Sequence, residues 1–162
     1  MKHTMRRFKQ LLPDDEAKKI LTNATNGIIS LTDVDGEPYG VPLSFAYDGD
    51  RSIYFHCAST GHKLDCLRHD HRCSFCVVAQ DHIVPEEFTT YFRSVIVKGN
   101  IFSVSDPDEI RRGLLRLCEK YSPGIDCSGE INKCMDNVKI LRMDITGITG
   151  KEAIELVRAA NR

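Results

Sequence analysis

Apolar residues recur along this chain at two different periods. In residues 13–25, PDDEAKKILTNAT, Ala17, Ile20, Leu21 and Ala24 repeat at three and four, which predicts a helix with one apolar face. Pro13 suits a first turn, and Asp14, Asp15 and Glu16 complement the positive end of the helix dipole. The period then drops to two, and strands are predicted over 27–33, 38–47, 52–58, 73–84, 91–105 and 138–150. Asp35-Gly36 and Asp48-Gly49 mark tight turns between the first three. Pro42 has no N–H for a ladder, so its part of the strand is expected at an edge, a bulge or a ligand. Gly99 predicts a bend in its long strand. Helices are predicted over 60–69, with Thr60 as cap and Leu64 and Leu67 inward, and over 105–123. In the latter Ser105 or Asp106 caps, Pro107 sits in the first turn, and Ile110, Leu114, Leu117 and Cys118 form the buried face. Residues 124–136 read as a loop with one helical turn, and 151–160 as a terminal helix.

Strands that follow one another through hairpin turns exclude a doubly wound parallel sheet. The pattern predicts an antiparallel barrel with helices outside, or an α+β sandwich. A length of 162 residues suits one domain spanning 1–162, and 41% hydrophobic residues suffice for one core. A net charge of −1 offers no basic surface for nucleic acid. No apolar run reaches the roughly 18 residues of a membrane span. The start, MKHTMRRFKQLLPDD, lacks the apolar segment of an export signal, so a cytoplasmic protein is expected. Seven cysteines then read as reduced thiols packed as small hydrophobes. Cys73 and Cys76 form a C-x-x-C inside a strand, with no second pair at zinc spacing, so no metal site is expected.

One stretch carries candidate chemistry: YFHCASTGHK, residues 54–63. Here a strand hands over to a helix, where backbone N–H groups go unpaired beside the positive helix end. Ala58 and Ser59 are small enough for an anion to approach. Gly61 permits positive φ, and Lys63 adds a cation suited to phosphate. The spacing is not that of a P-loop. On residues alone, a phosphate cradle and a capped surface helix both remain open.

The segment GEPYGVPLSFAYDGDRSIYFHCASTGHKLDCLRHD resembles the pyridoxamine 5′-phosphate oxidase-like group of FMN-binding split barrels, and within it the nitroimidazole-resistance type. The resemblance rests on Pro42-Leu43-Ser44, on His56-x-Ala58 followed by Gly61-x-Lys63, and on YFRSVIVKG at 91–99; it covers roughly residues 5–150. It implies a mostly β, six-stranded antiparallel Greek-key split barrel with peripheral helices. It also implies FMN as cofactor, its phosphate held by Lys63 and the backbone near Cys57, Ala58 and Ser59. The Val41-Pro42-Leu43-Ser44 strand would line the isoalloxazine, and Ser94 and Val95 would approach from the long strand. His56 would be the catalytic residue, and two flavins would lie at the interface of a homodimer. Cys57 departs from the glycine common at that position and would narrow the pocket.

The activity implied is reduction of a small electrophile, such as a nitroaromatic compound, with NAD(P)H visiting transiently because no GxGxxG is present. The rival readings are a protein that stores FMN without turnover, and oxidation of pyridoxamine phosphate. Against the last, no arginine cluster for a second phosphate is evident.

Overall fold

The computed structural model describes residues 5–135 and 137–160. A short 3-10 turn, Phe8–Gln10, leads into α1 (Asp14–Asn23). Then come β1 (Asn26–Thr32), β2 (Pro38–Ser44), β3 (Ala46–Tyr47), β4 (Ser52–Ala58) and α2 (His62–His69). They are followed by β5 (Arg72–Val84), β6 (Thr89–Ser103), α3 (Pro107–Tyr121), α4 (Ser128–Cys134), β7 (Val138–Glu152) and α5 (Ile154–Ala160). The strands form one antiparallel sheet in the order β2-β1-β5-β6-β7-β4-β3.

The two edges of that sheet, β2 and β3, are separated in the chain by Phe45 alone. Laid flat, seven strands at about 4.8 Å spacing would hold those edges roughly 29 Å apart. A single residue cannot bridge that gap, so the sheet curls until its edges meet. The expected split barrel with peripheral helices is therefore what forms. Its stave count corrects the expectation in one respect. The predicted strand 38–47 breaks at Phe45, giving seven strands in place of six, because β2 pairs with β1 whereas β3 pairs with β4.

That break has a local cause. Phe45 is fully buried, and its backbone leaves one ladder before joining the next. The Phe45 N–H donates to the Tyr121 hydroxyl at 2.8 Å, and the Phe45 carbonyl lies 2.8 Å from the same oxygen. The Thr25 carbonyl is 2.5 Å away. A side chain at the end of α3 thus serves the backbone at the corner of the barrel.

Inside the barrel, inward positions of every long strand meet: Ile29 and Leu31, Phe55, Phe75 and Val77, Val95 and Val97, Leu141 and Met143. Phe75 stacks edge-on against Phe45 and Phe55, with ring centres 4.8 and 5.2 Å apart. A second apolar cluster lies outside the barrel, where Leu114 and Leu117 of α3 and Ile131 of α4 cover Ile140 of β7.

Local signals explain most boundaries. Asp106 caps α3 by accepting from the Glu109 N–H at 3.1 Å. The ladder between β6 and β7 shifts at Lys98/Gly99, where any Cβ would overlap the Asp144 carbonyl, so the bend expected at Gly99 is a bulge only glycine fits. Two expectations change. Residues 128–134 are a full helix, held by Ile131 in the outer cluster, and β7 runs on to Glu152 before α5 begins. Among the described residues no helix is long and apolar enough to cross a membrane.

Candidate functional site

The barrel is open along one line. β3 covers β4 only at Ile53 and Tyr54, so Phe55–Ala58 has no strand on that side. β2 pairs with β1 alone, which leaves its outer edge, Pro38–Ser44, unpaired. The two stretches singled out in the sequence, Val41–Ser44 and His56–Ala58, are the lips of this split. Unpaired strand edges of this kind supply backbone donors and acceptors to a ligand.

Side chains at the lips divide by alternation. Val41 and Leu43 turn inward and pack on the barrel core, whereas Pro42 and Ser44 are exposed. On β4, Phe55 and Cys57 are buried, whereas His56 and Ala58 are exposed. Cys57 therefore does not narrow the space around His56: its side chain fills the barrel, and only its backbone remains at the strand end. Burial pushes the Cys57 thiol up, and the ammonium groups of Lys63 and Lys139 draw it partly back. Lys63 thus has its charge within electrostatic reach of the end of β4.

Beyond the lip the chain turns through Ser59, Thr60 and Gly61 into α2. Gly61, not Thr60, is the residue before the helix; its φ of +137° is open only to glycine, and no side chain caps the helix. The expected Thr60 cap is absent because the turn places Gly61 at that position. The N-terminal turn of α2 thus keeps free donors, and the half-buried Lys63 makes no salt bridge among the described residues. His62 packs against Tyr39 of β2, ring centres 4.6 Å apart, which ties this corner to the opposite lip. Ala58–His62 are all exposed, so the corner is a shelf open to solvent on one side.

His56 and Ser44 face a cleft of about 350 Å³ walled by α3 and α4, through Leu117, Cys118, Tyr121, Glu130 and Cys134. Sequence reasoning missed this wall. The apolar face of α3 was legible, but its partner was not: β4 and β7 turn toward it outer faces on which Tyr54, Val138 and Ile140 alternate with the barrel-facing residues and mix with polar ones.

The long strand behaves differently. Val95 is fully buried inside the barrel and paired on both sides, with Val77 and Gly150, so it presents nothing to a ligand outside. Ser94 points outward opposite Lys151, whose ammonium lies 5.2 Å from the centre of the Phe92 ring. Ser44 and Ser94 lie on β2 and β6, three strand spacings apart, or roughly 14 Å along the sheet. One copy of the chain does not bring Ser94 to the lips.

The cysteine and histidine motifs also resolve. Cys73 and Cys76 stand three apart on a strand and so face opposite sides; burial pushes the Cys73 thiol up to about 12. His71 is bonded to the Ile101 carbonyl and His62 lies against Cys66. Among the described residues no group of three or more His, Cys, Asp or Glu is arranged to hold a metal.

Comparison with known proteins agrees with this architecture. A candidate 5-nitroimidazole antibiotic resistance protein from Bacteroides thetaiotaomicron superposes with a TM-score of 0.75 at 23% identity, over 88% of this chain and 86% of that one. A flavocytochrome from Azotobacter vinelandii gives 0.74 at 21% identity, covering 93% and 72%. An FAD-binding protein from Mesorhizobium loti gives 0.62 at 26% identity, covering 89% and 97%. No curated protein matches in sequence. The family model for pyridoxamine 5′-phosphate oxidase matches residues 13–152, from α1 to the end of β7 and across both lips of the split, and the chain belongs to that family.

Proposed function

We propose that this protein is an FMN-dependent oxidoreductase that reduces a small electrophile of the nitroaromatic kind, working as a homodimer. The observation that carries the reading is the corner after β4: an uncapped helix start, a glycine at φ +137° and a lysine with no salt bridge among the described residues, set against two strand edges without strand partners. These groups fit a mononucleotide. Lys63 and the N–H groups entering α2 would hold the phosphate, and the backbone of Val41–Ser44 would hold the edge of a flat ring. The flavin names of relatives from Azotobacter vinelandii and Mesorhizobium loti support a flavin as the occupant.

Bound FMN would supply two-electron reduction. The chain's own part is to bind and orient. His56 faces the α3–α4 cleft, where a small substrate can sit, and an imidazole is the side chain suited to moving a proton near neutrality. Leu114, Leu117 and Ile131 make that cleft apolar and limit water around the reacting atoms.

The reading of a second copy is supported by the open shelf and by a row on the outer sheet face. Pro42, Ile28, Cys76 and Ile96 stand in register across four strands, with Ile28 50% and Ile96 47% exposed. A neighbouring copy docked on this row would cover apolar surface that a monomer leaves in water. It would also offer its Ser94, Phe92 and Lys151 to the shelf.

The test is an absorbance spectrum of the purified protein, with flavin identified after heat release. Expected are a yellow protein, stoichiometric FMN, bleaching by NADPH without oxygen, and recovery of colour on adding a nitroaromatic acceptor. A colourless protein that takes up no added FMN overturns the reading. FMN that is bound but never reoxidised by any acceptor overturns the enzyme and leaves a carrier. Ile96→Asp should yield a monomer that has lost FMN.

A further inference from the structure

Three of the seven cysteines gather where α3 meets α4. Cys118 lies on the buried side of α3, Cys127 immediately precedes α4, and Cys134 ends it. Cys118 and Cys127 both pack on the cluster formed by Leu114, Leu117 and Ile131. The Cys127 thiol is one of the groups that push the Cys118 thiol up, and its own Sγ lies 3.5 Å from the Ile125 carbonyl oxygen. Cys134 is not part of that cluster; its Sγ lies 3.5 Å from Glu130 Oε1. Cys118 and Cys134 also line the cleft that holds His56, so the cluster sits in the wall of the candidate site.

α4 is held on the barrel by little else. It has seven residues, it buries only Ile131, and among the described residues its polar tie to α3 is one bond, from Arg111 to Asn132 at 2.8 Å. Residues 122–127 connect the two helices through Pro123 and Gly124, whose φ is +78°. Two thiols packed on one apolar cluster and joined by a short loop, at the base of a helix with a small buried face, are placed to cross-link.

We propose that Cys118 and Cys127 form a reversible disulfide by exchange with a small-molecule disulfide, pinning α4 to α3 and fixing one wall of the His56 cleft. The Cys127 thiolate attacks one sulfur of the small disulfide, and the first small thiol leaves. The Cys118 thiol then loses its proton, attacks the Cys127 sulfur of the mixed disulfide and expels the second. Two S–H bonds become one S–S bond, and one small disulfide becomes two thiols. Burial is the first cause that pushes the Cys118 thiol up to about 11, with the Cys127 contact second. The reduced pair therefore gains little as thiolate, which favours a disulfide that is slow to form and resistant to reduction.

The test exposes the folded, full-length protein to oxidised glutathione, quenches by alkylation and digests with trypsin. Residues 117–120, 121–133 and 134–139 fall in separate peptides, so the partner of Cys118 is read directly. Expected is a link between peptides 117–120 and 121–133, reversed by dithiothreitol. The oxidised protein should melt higher by roughly 5–10 °C, since the link closes a short loop. Cys118→Ser and Cys127→Ser should each lose the link and the shift, with far-ultraviolet circular dichroism unchanged. A link to peptide 134–139, a link that forms only in urea, or persistent mixed disulfides at both positions overturns the proposal. Flavin content plays no part in this readout, so it stands or falls apart from the reading of the site.

Discussion

Tyr121→Phe removes a single oxygen, and the structure sets how much that oxygen matters. Phe45 has no exposed surface, and its N–H and carbonyl sit between two ladders, each 2.8 Å from the Tyr121 hydroxyl. The hydroxyl accepts from the Phe45 N–H and donates its one proton to a carbonyl, that of Phe45 or of Thr25 at 2.5 Å. Thr25 is exposed, so its carbonyl can turn to water at little cost. The two Phe45 groups cannot. Orphaning a buried backbone group costs about 1–3 kcal/mol, so the variant should lose about 2–4 kcal/mol in all. For a chain of this length that is a fall in Tm of roughly 5–12 °C. Urea unfolding followed by far-ultraviolet circular dichroism measures the loss, with the m-value expected to stay constant. A variant within about 0.5 kcal/mol of the parent would refute the claim that Tyr121 holds the barrel corner, and would mean that water reaches Phe45.

Lys63→Ala should weaken FMN binding at least tenfold by fluorescence titration, the scale of one charge-assisted phosphate contact; unchanged binding removes the cradle. His56→Ala should lower kcat more than FMN affinity, and equal loss of both would make His56 structural. Gly99→Ala should destabilise by about 2 kcal/mol or more, because the bulge must open to admit the Cβ, and a thermal melt checks it. Lys120 gives a pH signature. Burial lowers it from 10.5 to about 8, its ammonium lying 4.0 Å from the centre of the Phe45 ring and 3.4 Å from the Leu21 carbonyl. Between pH 8 and 10.5 the unfolded lysine keeps a proton that the folded one has lost, so this group makes stability rise with pH. The stability of Lys120→Met relative to the parent should therefore be greatest below pH 8 and shrink towards pH 10.5, as read from urea melts across that range; a pH-independent difference would contradict the shift.

The sequence by itself determined the elements and the chemistry of the corner. Alternation marked the strands, Asp106 and Pro107 fixed the start of α3, and Gly61 and Lys63 stood where a helix start could hold an anion. These are properties of neighbouring residues, and local sterics and burial periodicity write them into the chain. Tertiary structure alone decided what those elements meet. Nothing near Phe45 announces that the strand breaks there, because the cause is the hydroxyl of Tyr121, 76 residues away. Nothing in His56 announces the wall it faces, because α3 and α4 are distant in sequence and settle on an outer strand face where Tyr54, Val138 and Ile140 are interspersed with polar residues. Cys57 and Val95 look like site residues by position, yet the parity of their strands turns both into the barrel. A side chain's direction along a strand is set by register, and register is fixed only when the partner strands, distant in sequence, close the sheet.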